Sequence, residues 1–168
     1  MNGNDLATYL IDALQGVPAW LSVVVLTVVP VVEMQASFPA ALGLYKMPLA
    51  IAFPLIVCAN MIPAFIVLFG WDWFITMLEK RWPAFHGFMS RYHDRLHTRW
   101  QDKIDRFGPF AIFLFVAFPG PFSGVWSGSM LAWIFGVHRL QALIAIFLGV
   151  ISASVFVALL TLGIIHIV

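Results

Sequence analysis

The sequence predicts an all-α integral membrane protein of two inverted repeats. Each repeat is a broken re-entrant hairpin plus one transmembrane helix, and a cytoplasmic amphipathic helix joins them. Three observations lead there. The first is composition: 62% of the 168 residues are apolar or aromatic and only 10% are charged, whereas an ordinary globular domain is about half apolar and about a quarter charged. That excludes a soluble enzyme, a disordered tail and a nucleic-acid module. The second is placement, because eleven of the charged residues lie between Glu79 and Arg106. The third is interruption: two apolar stretches are broken by Pro and Gly where a plain span would be continuous.

Residues 1–16 read as an interfacial helix. Leu6, Tyr9, Leu10, Ala13 and Leu14 fall on one face over Asp5–Gln15, with Asn4 as N-cap and Gly16 as stop. Asp5 and Asp12 stand where a signal peptide would be basic, so this segment is expected to be retained.

Residues 17–71 form the first repeat. The stretch 17–45 carries Pro30, Glu33, Pro39 and Gly43. Two full crossings need roughly 40 residues, so this stretch cannot cross twice. The economical reading is a re-entrant hairpin, with a single kinked span as the alternative. Non-helical backbone survives at membrane depth only where protein or a water-filled cavity covers it, so a break implies a polar interior. Residues 47–71 suffice for one crossing. Within it, Asn60 is expected either to bind the carbonyl that Pro63 frees or to line the cavity.

Residues 72–106 form the linker. A helix from Pro83 to Phe107 places Phe85, Phe88, Met89, Tyr92, Leu96, Trp100 and Phe107 on one stripe, with Arg91, Arg95 and Arg99 opposite. That pattern predicts a helix on the cytoplasmic leaflet with its Arg heads at anionic lipid headgroups. His86, His93 and His97 lie at the edge of the stripe, and the reading is interfacial histidines. A zinc site or pH sensor is the alternative, and no metal or cofactor is expected. Cys58 is the one cysteine and sits in an apolar run, which excludes a disulfide framework.

Residues 107–168 form the second repeat. Its broken segment holds Pro119-Gly120-Pro121, Gly124 and Gly128, a Gly136 turn follows, and 140–168 supplies a crossing. A shift of 93 residues lays Leu42-Gly43-Leu44-Tyr45-Lys46 on Phe135-Gly136-Val137-His138-Arg139. With one hairpin and one crossing per copy, the two copies are inverted, an arrangement recurrent among transporters. Eight of the nine basic residues then share one side. The positive-inside rule makes that side cytoplasmic and leaves both termini external; the expected location is the inner membrane. Trp20, Tyr45, Trp71 and Trp73 fall near span ends, as an aromatic belt requires.

Glu33 is the sharpest candidate, being the only acidic residue deep in an apolar stretch. Buried membrane carboxylates usually mark an ion or substrate path, and one that exchanges a proton suits proton-coupled transport. The competing reading is a protonated Glu that caps the broken helix. In the second break, Ser123 and Ser127 could cap a half-helix, Gly124 and Gly128 allow close backbone approach, and Trp126 offers a flat face to a cation or aromatic group.

These motifs resemble the small multidrug export family. The resemblance rests on Glu33-Met-Gln35-Ala-Ser37-Phe-Pro39, Asn60-Met-Ile-Pro63 and Pro119-Gly-Pro121-Phe-Ser123-Gly124-Val-Trp126-Ser127-Gly128. It covers roughly residues 25–165. The paired broken hairpins are also similar to DedA-type membrane proteins. Gln35 stands where the export family's pattern has Arg, which removes the natural charge partner of Glu33. The resemblance implies a non-enzymatic transporter that exports a hydrophobic, cationic small molecule. Substrate and proton would pass Glu33, Gln35, Ser37, Pro39, Asn60 and Pro63 from the first repeat. Pro119, Pro121, Ser123, Gly124, Trp126, Ser127 and Gly128 would complete the path. A lipid or polyprenyl-phosphate translocase is the alternative, and a non-transport scaffold the third. The expected partners are the bilayer, a small-molecule or lipid substrate and a second copy of the chain, since 168 residues offer few walls around a site. No nucleic acid is expected.

Overall fold

The computed structural model describes residues 16–30, 32–81, 107–118 and 124–167. Those residues form helices and no strand. The helices are α1 (Ala19–Val28), α2 (Glu33–Pro39), α3 (Leu49–Phe65), α4 (Trp71–Arg81), α5 (Phe107–Ala117), α6 (Val125–Ile134) and α7 (Arg139–Ile167). The expected interfacial helix over 1–15 and the amphipathic helix with Arg91, Arg95 and Arg99 lie outside the described residues.

Two helices are long and apolar enough to cross a bilayer. One runs unbroken from Leu49 to Phe74 and the other covers Arg139–Gly163. Between Phe65 and Trp71 the first makes a π-turn over Ile66–Gly70, three residues after Pro63. A second π-turn, over Ala40–Leu44, directly follows Pro39. Proline supplies no N–H and its ring crowds the preceding turn. Local widening of the helix is one way such a chain re-satisfies its carbonyls without water.

The other helices are short. Ten residues in α1 and ten in α6 reach about 15 Å, half of a hydrocarbon core of about 30 Å. α1 and α2 fold back on each other around the break, so that Thr27 and Ser37 meet at 2.8 Å between hydroxyl oxygens. Val23 O lies 2.7 Å from the Thr27 hydroxyl and Glu33 O lies 2.7 Å from that of Ser37. Two hydroxyl protons thus serve three short contacts. Both side chains are fully buried, and this shared network satisfies them where water cannot.

α5 and α6 fold back likewise. A methyl group on Gly128 would run into Val116 Cγ2, so the backbone of α6 approaches α5 as closely as glycine permits. α7 closes over the same valine: a Cβ at Gly149 would lie 2.8 Å from Val116 Cβ and 3.1 Å from Phe113 O. Ala142, Ala145, Ala153 and Ala158 continue that buried face, while Leu140, Ile144, Phe147, Leu148, Phe156 and Leu159 point outward. Small residues inside and large apolar residues outside is the packing of a helix in lipid. In water the same exposed surface would aggregate. This is a membrane protein.

The two turns into the long helices are alike in kind. Gly136 has φ +65°, and the next amide, Val137 N–H, reaches back to Ala132 O at 3.0 Å. That is the Schellman closure, which favours glycine at the left-handed position. Lys46 has φ +49°, and Met47 N–H reaches Ala41 O at 2.8 Å. The left-handed residues are thus Lys46 and Gly136, and α3 and α7 begin three residues after each. These two residues stand 90 apart, whereas the sequence match is at a shift of 93. Gly43 lies inside the π-turn, which defers the left-handed residue to Lys46.

Candidate functional site

The starts of α2 and α6 meet, and Glu33 is where they meet. It opens α2 with φ +41°, a left-handed conformation that is costly for a side chain other than glycine. The Glu33 carboxylate lies against Gly124 and faces the backbone N–H groups of Val125 and Trp126, the first two residues of α6. Those amides begin a helix and have no partner within it, and they carry the positive end of its dipole. Glu33 therefore has a partner that needs no basic side chain.

Gly124, the residue before α6, makes this contact possible. A Cβ there would collide with both Glu33 carboxylate oxygens and Cδ. Any larger residue at 124 must push the carboxylate off the helix end. The Gly124 N–H is in turn accepted by Ser127 Oγ at 3.1 Å, so Ser127 folds back over the start of its own helix. The capping expected of Ser127 is present in this form, and Ser123 lies outside the described residues.

A second bond runs the opposite way across the same junction. Trp126 Nε1 donates to Val28 O at 2.9 Å, and Val28 is the last residue of α1. A helix end exposes unpartnered carbonyls as its start exposes amides. Each pair of short helices thus satisfies one backbone end of the other, Glu33 acting for the first and Trp126 for the second. Met34, beside Glu33, accepts the Ser154 hydroxyl at 3.7 Å from its sulfur, which fastens the junction to the middle of α7.

Of the other sequence candidates, Ser37 is buried in the α1–α2 hydroxyl network, whereas Gln35 and Pro39 are exposed. Asn60 is fully buried in α3. Its Nδ2 donates to Ile56 O at 3.2 Å, which is not the carbonyl that Pro63 frees, that of Ala59. Its Oδ1 is buried without a partner among the described residues. Pro119 and Pro121 lie outside the described residues.

One cluster has no counterpart in the sequence reading. Asp72, at the start of α4, forms an ion pair with Arg139, the first residue of α7, and accepts Trp133 Nε1 at 2.6 Å. The Arg139 guanidinium also stands 5.6 Å above the centre of the Phe69 ring. The isolation of Asp72 and Arg139 at the ends of apolar runs was the available hint, but nothing in the sequence pairs residues 67 apart.

A family model described as "Putative small multi-drug export protein" matches residues 33–156. The chain belongs to this family. The matched region begins at Glu33 and contains α2 to α6 with most of α7, so both sides of the junction are family sequence. No curated protein and no solved structure matches the chain. No group of His, Cys, Asp and Glu that could hold a metal occurs among the described residues.

Proposed function

We propose that this family member is a proton-coupled exporter of hydrophobic cations, with Glu33 exchanging a proton for the substrate. The observation that carries the reading is that Glu33 is held by backbone amides and by no basic side chain among the described residues. A carboxylate paired to arginine strands a buried charge when it takes up a proton. One held by a helix end strands none, so it can pass between proton-bound, cation-bound and helix-bound states. Each state changes what ties α1–α2 to α6: the ionised carboxylate holds the α6 amides, and a bound proton or cation competes with them. A ligand shifts such an equilibrium by its differential affinity for the two arrangements.

In this reading each short-helix pair is a re-entrant hairpin, each long helix a crossing, and the two copies are inverted about the Glu33 junction. Three features support the inversion. α2 and α6 both begin at the junction, α7 begins beside Asp72 at the far end of the 49–74 helix, and it reaches Met34 at Ser154. The Arg139 end is then cytoplasmic in the inner membrane, the termini are external, and a second copy completes the walls of the path.

The test is uptake of tetraphenylphosphonium into proteoliposomes under an imposed pH gradient, wild type beside Glu33→Gln. The expected result is gradient-dependent uptake that disappears in the folded variant. Equal uptake by both proteins, or none by folded wild type, contradicts the reading.

A further inference from the structure

The Asp72–Arg139 pair borders a cavity of about 390 Å³ at one end of the bundle. Its walls include Asp72, Trp133, Gly136, His138 and Arg139, so one acidic and one basic group face the same small space. We propose that this cavity binds the headgroup of a phospholipid carrying both a phosphate and a primary ammonium, the phosphatidylethanolamine class, with Arg139 on the phosphate and Asp72 on the ammonium.

Three observations support it. Both charged side chains remain about half exposed, at 53% for Arg139 and 48% for Asp72, so the pair does not consume either group. The guanidinium has five N–H donors, and among the described residues Nη2 alone is engaged, with Asp72. Toward those residues its other donors stay open to a phosphate, for which the planar fork is well matched. Asp72 takes one bond on each carboxylate oxygen, from Trp133 and from Arg139. Each oxygen keeps a second lone pair, enough for an ammonium.

The surroundings select a lipid over a soluble phosphate. Phe69, Trp73, Phe74 and Leu140 are exposed around the same end, which is the level where aromatic side chains meet headgroups. Acyl chains lying on α4 and α7 would bring the headgroup to the cavity mouth. Charge then selects among lipids. A purely basic pocket between helices favours anionic headgroups, but here the built-in pair is neutral. It complements a dipolar headgroup, and Asp72 disfavours one that carries only negative charge. A choline headgroup has no N–H to give Asp72.

The test measures lipid retained by the purified protein in mild detergent, by native mass spectrometry against equimolar phosphatidylethanolamine, phosphatidylcholine and phosphatidylglycerol. Wild type is expected to retain the ethanolamine lipid about tenfold over either competitor. Asp72→Asn keeps an oxygen for Trp133 and leaves Arg139 uncompensated, so its preference should move to phosphatidylglycerol. The double variant Asp72→Asn/Arg139→Gln should show no preference, with its melting temperature checking that it is folded. The proposal is overturned if wild type prefers phosphatidylglycerol or nothing. It is equally overturned if Asp72→Asn keeps the wild-type preference, or if millimolar inorganic phosphate displaces the lipid and takes its place. Because the assay reads binding and not transport, its outcome is independent of the fate of Glu33→Gln.

Discussion

Glu33 at the middle of the bundle and Asp72 at its end are both carboxylates that tie one half of the chain to the other, and they do so by opposite means. Glu33 is held by the amides of Val125 and Trp126. Asp72 is held by the side chains of Trp133 and Arg139. The first contact is set by backbone geometry and tolerates loss of the charge, because a helix end is only a partial charge. The second is set by a full opposite charge at an exposed site, where such pairs are worth about 0–1 kcal/mol. One carboxylate thus joins the halves through a helix dipole, the other through a full opposite charge.

The sharpest way to break the comparison is Gly124→Ala. Its methyl group must displace the Glu33 carboxylate, and the cost is that of parting a partly buried polar group from its partners, about 1–3 kcal/mol. Transport should fall at least as far as in Glu33→Gln, with a lowered melting temperature that Glu33→Gln does not share. Next is Gly128→Ala, which forces a methyl group into Val116. A loss of about 1–3 kcal/mol is expected, and Val116→Ala in the same chain should recover most of it. Thermal melts of the two single variants and the double variant give the coupling directly.

A smaller effect is expected from Trp126→Phe, which keeps the ring and removes the donor to Val28 O. A hydrogen bond of this kind contributes about 1 kcal/mol. Its loss should loosen the α1 end and reduce transport by a few-fold, read as an initial uptake rate. The smallest effect belongs to the far carboxylate. Asp72→Asn/Arg139→Gln should leave stability within about 1 kcal/mol and transport within about twofold, because the pair is exposed and away from the junction. A tenfold transport loss in that double variant would end the contrast drawn between the two carboxylates.

Much of this architecture is legible in the sequence, and what escapes does so for definable reasons. Composition gives the membrane class, Pro30 and Gly124 flank the starts of α2 and α6, and Gly128 marks the close approach of α6 to α5. Glu33 stands out as a lone acid in an apolar stretch. Its partner does not, because a backbone amide has no residue type, and the loss of arginine at Gln35 leaves Glu33 looking unpaired when it is not. The competing expectation, Glu33 capping a broken helix, describes the contact, except that the capped helix is α6 and not its own. Trp126 reads as a stacking surface, yet its indole N–H is what crosses the junction. The left-handed residues of the two turns stand 90 residues apart, not 93, because a π-turn, invisible to hydrophobic periodicity, takes up Gly43. Asn60 and Pro63 look like a donor and the carbonyl it repairs, but the amide of Asn60 bonds Ile56 O, three residues before the Ala59 carbonyl that Pro63 frees.

The central claim is that Glu33 trades a proton for the substrate at the end of α6. It is tested most directly by counting protons released when tetraphenylphosphonium binds the purified protein in weakly buffered detergent, followed by a pH-indicator dye. At a pH low enough for Glu33 to carry its proton before the cation binds, linkage predicts release of about one proton per cation bound by wild type, and none by Glu33→Gln with its fold intact. Cation binding without proton release in wild type, or equal release from Glu33→Gln, would contradict the claim.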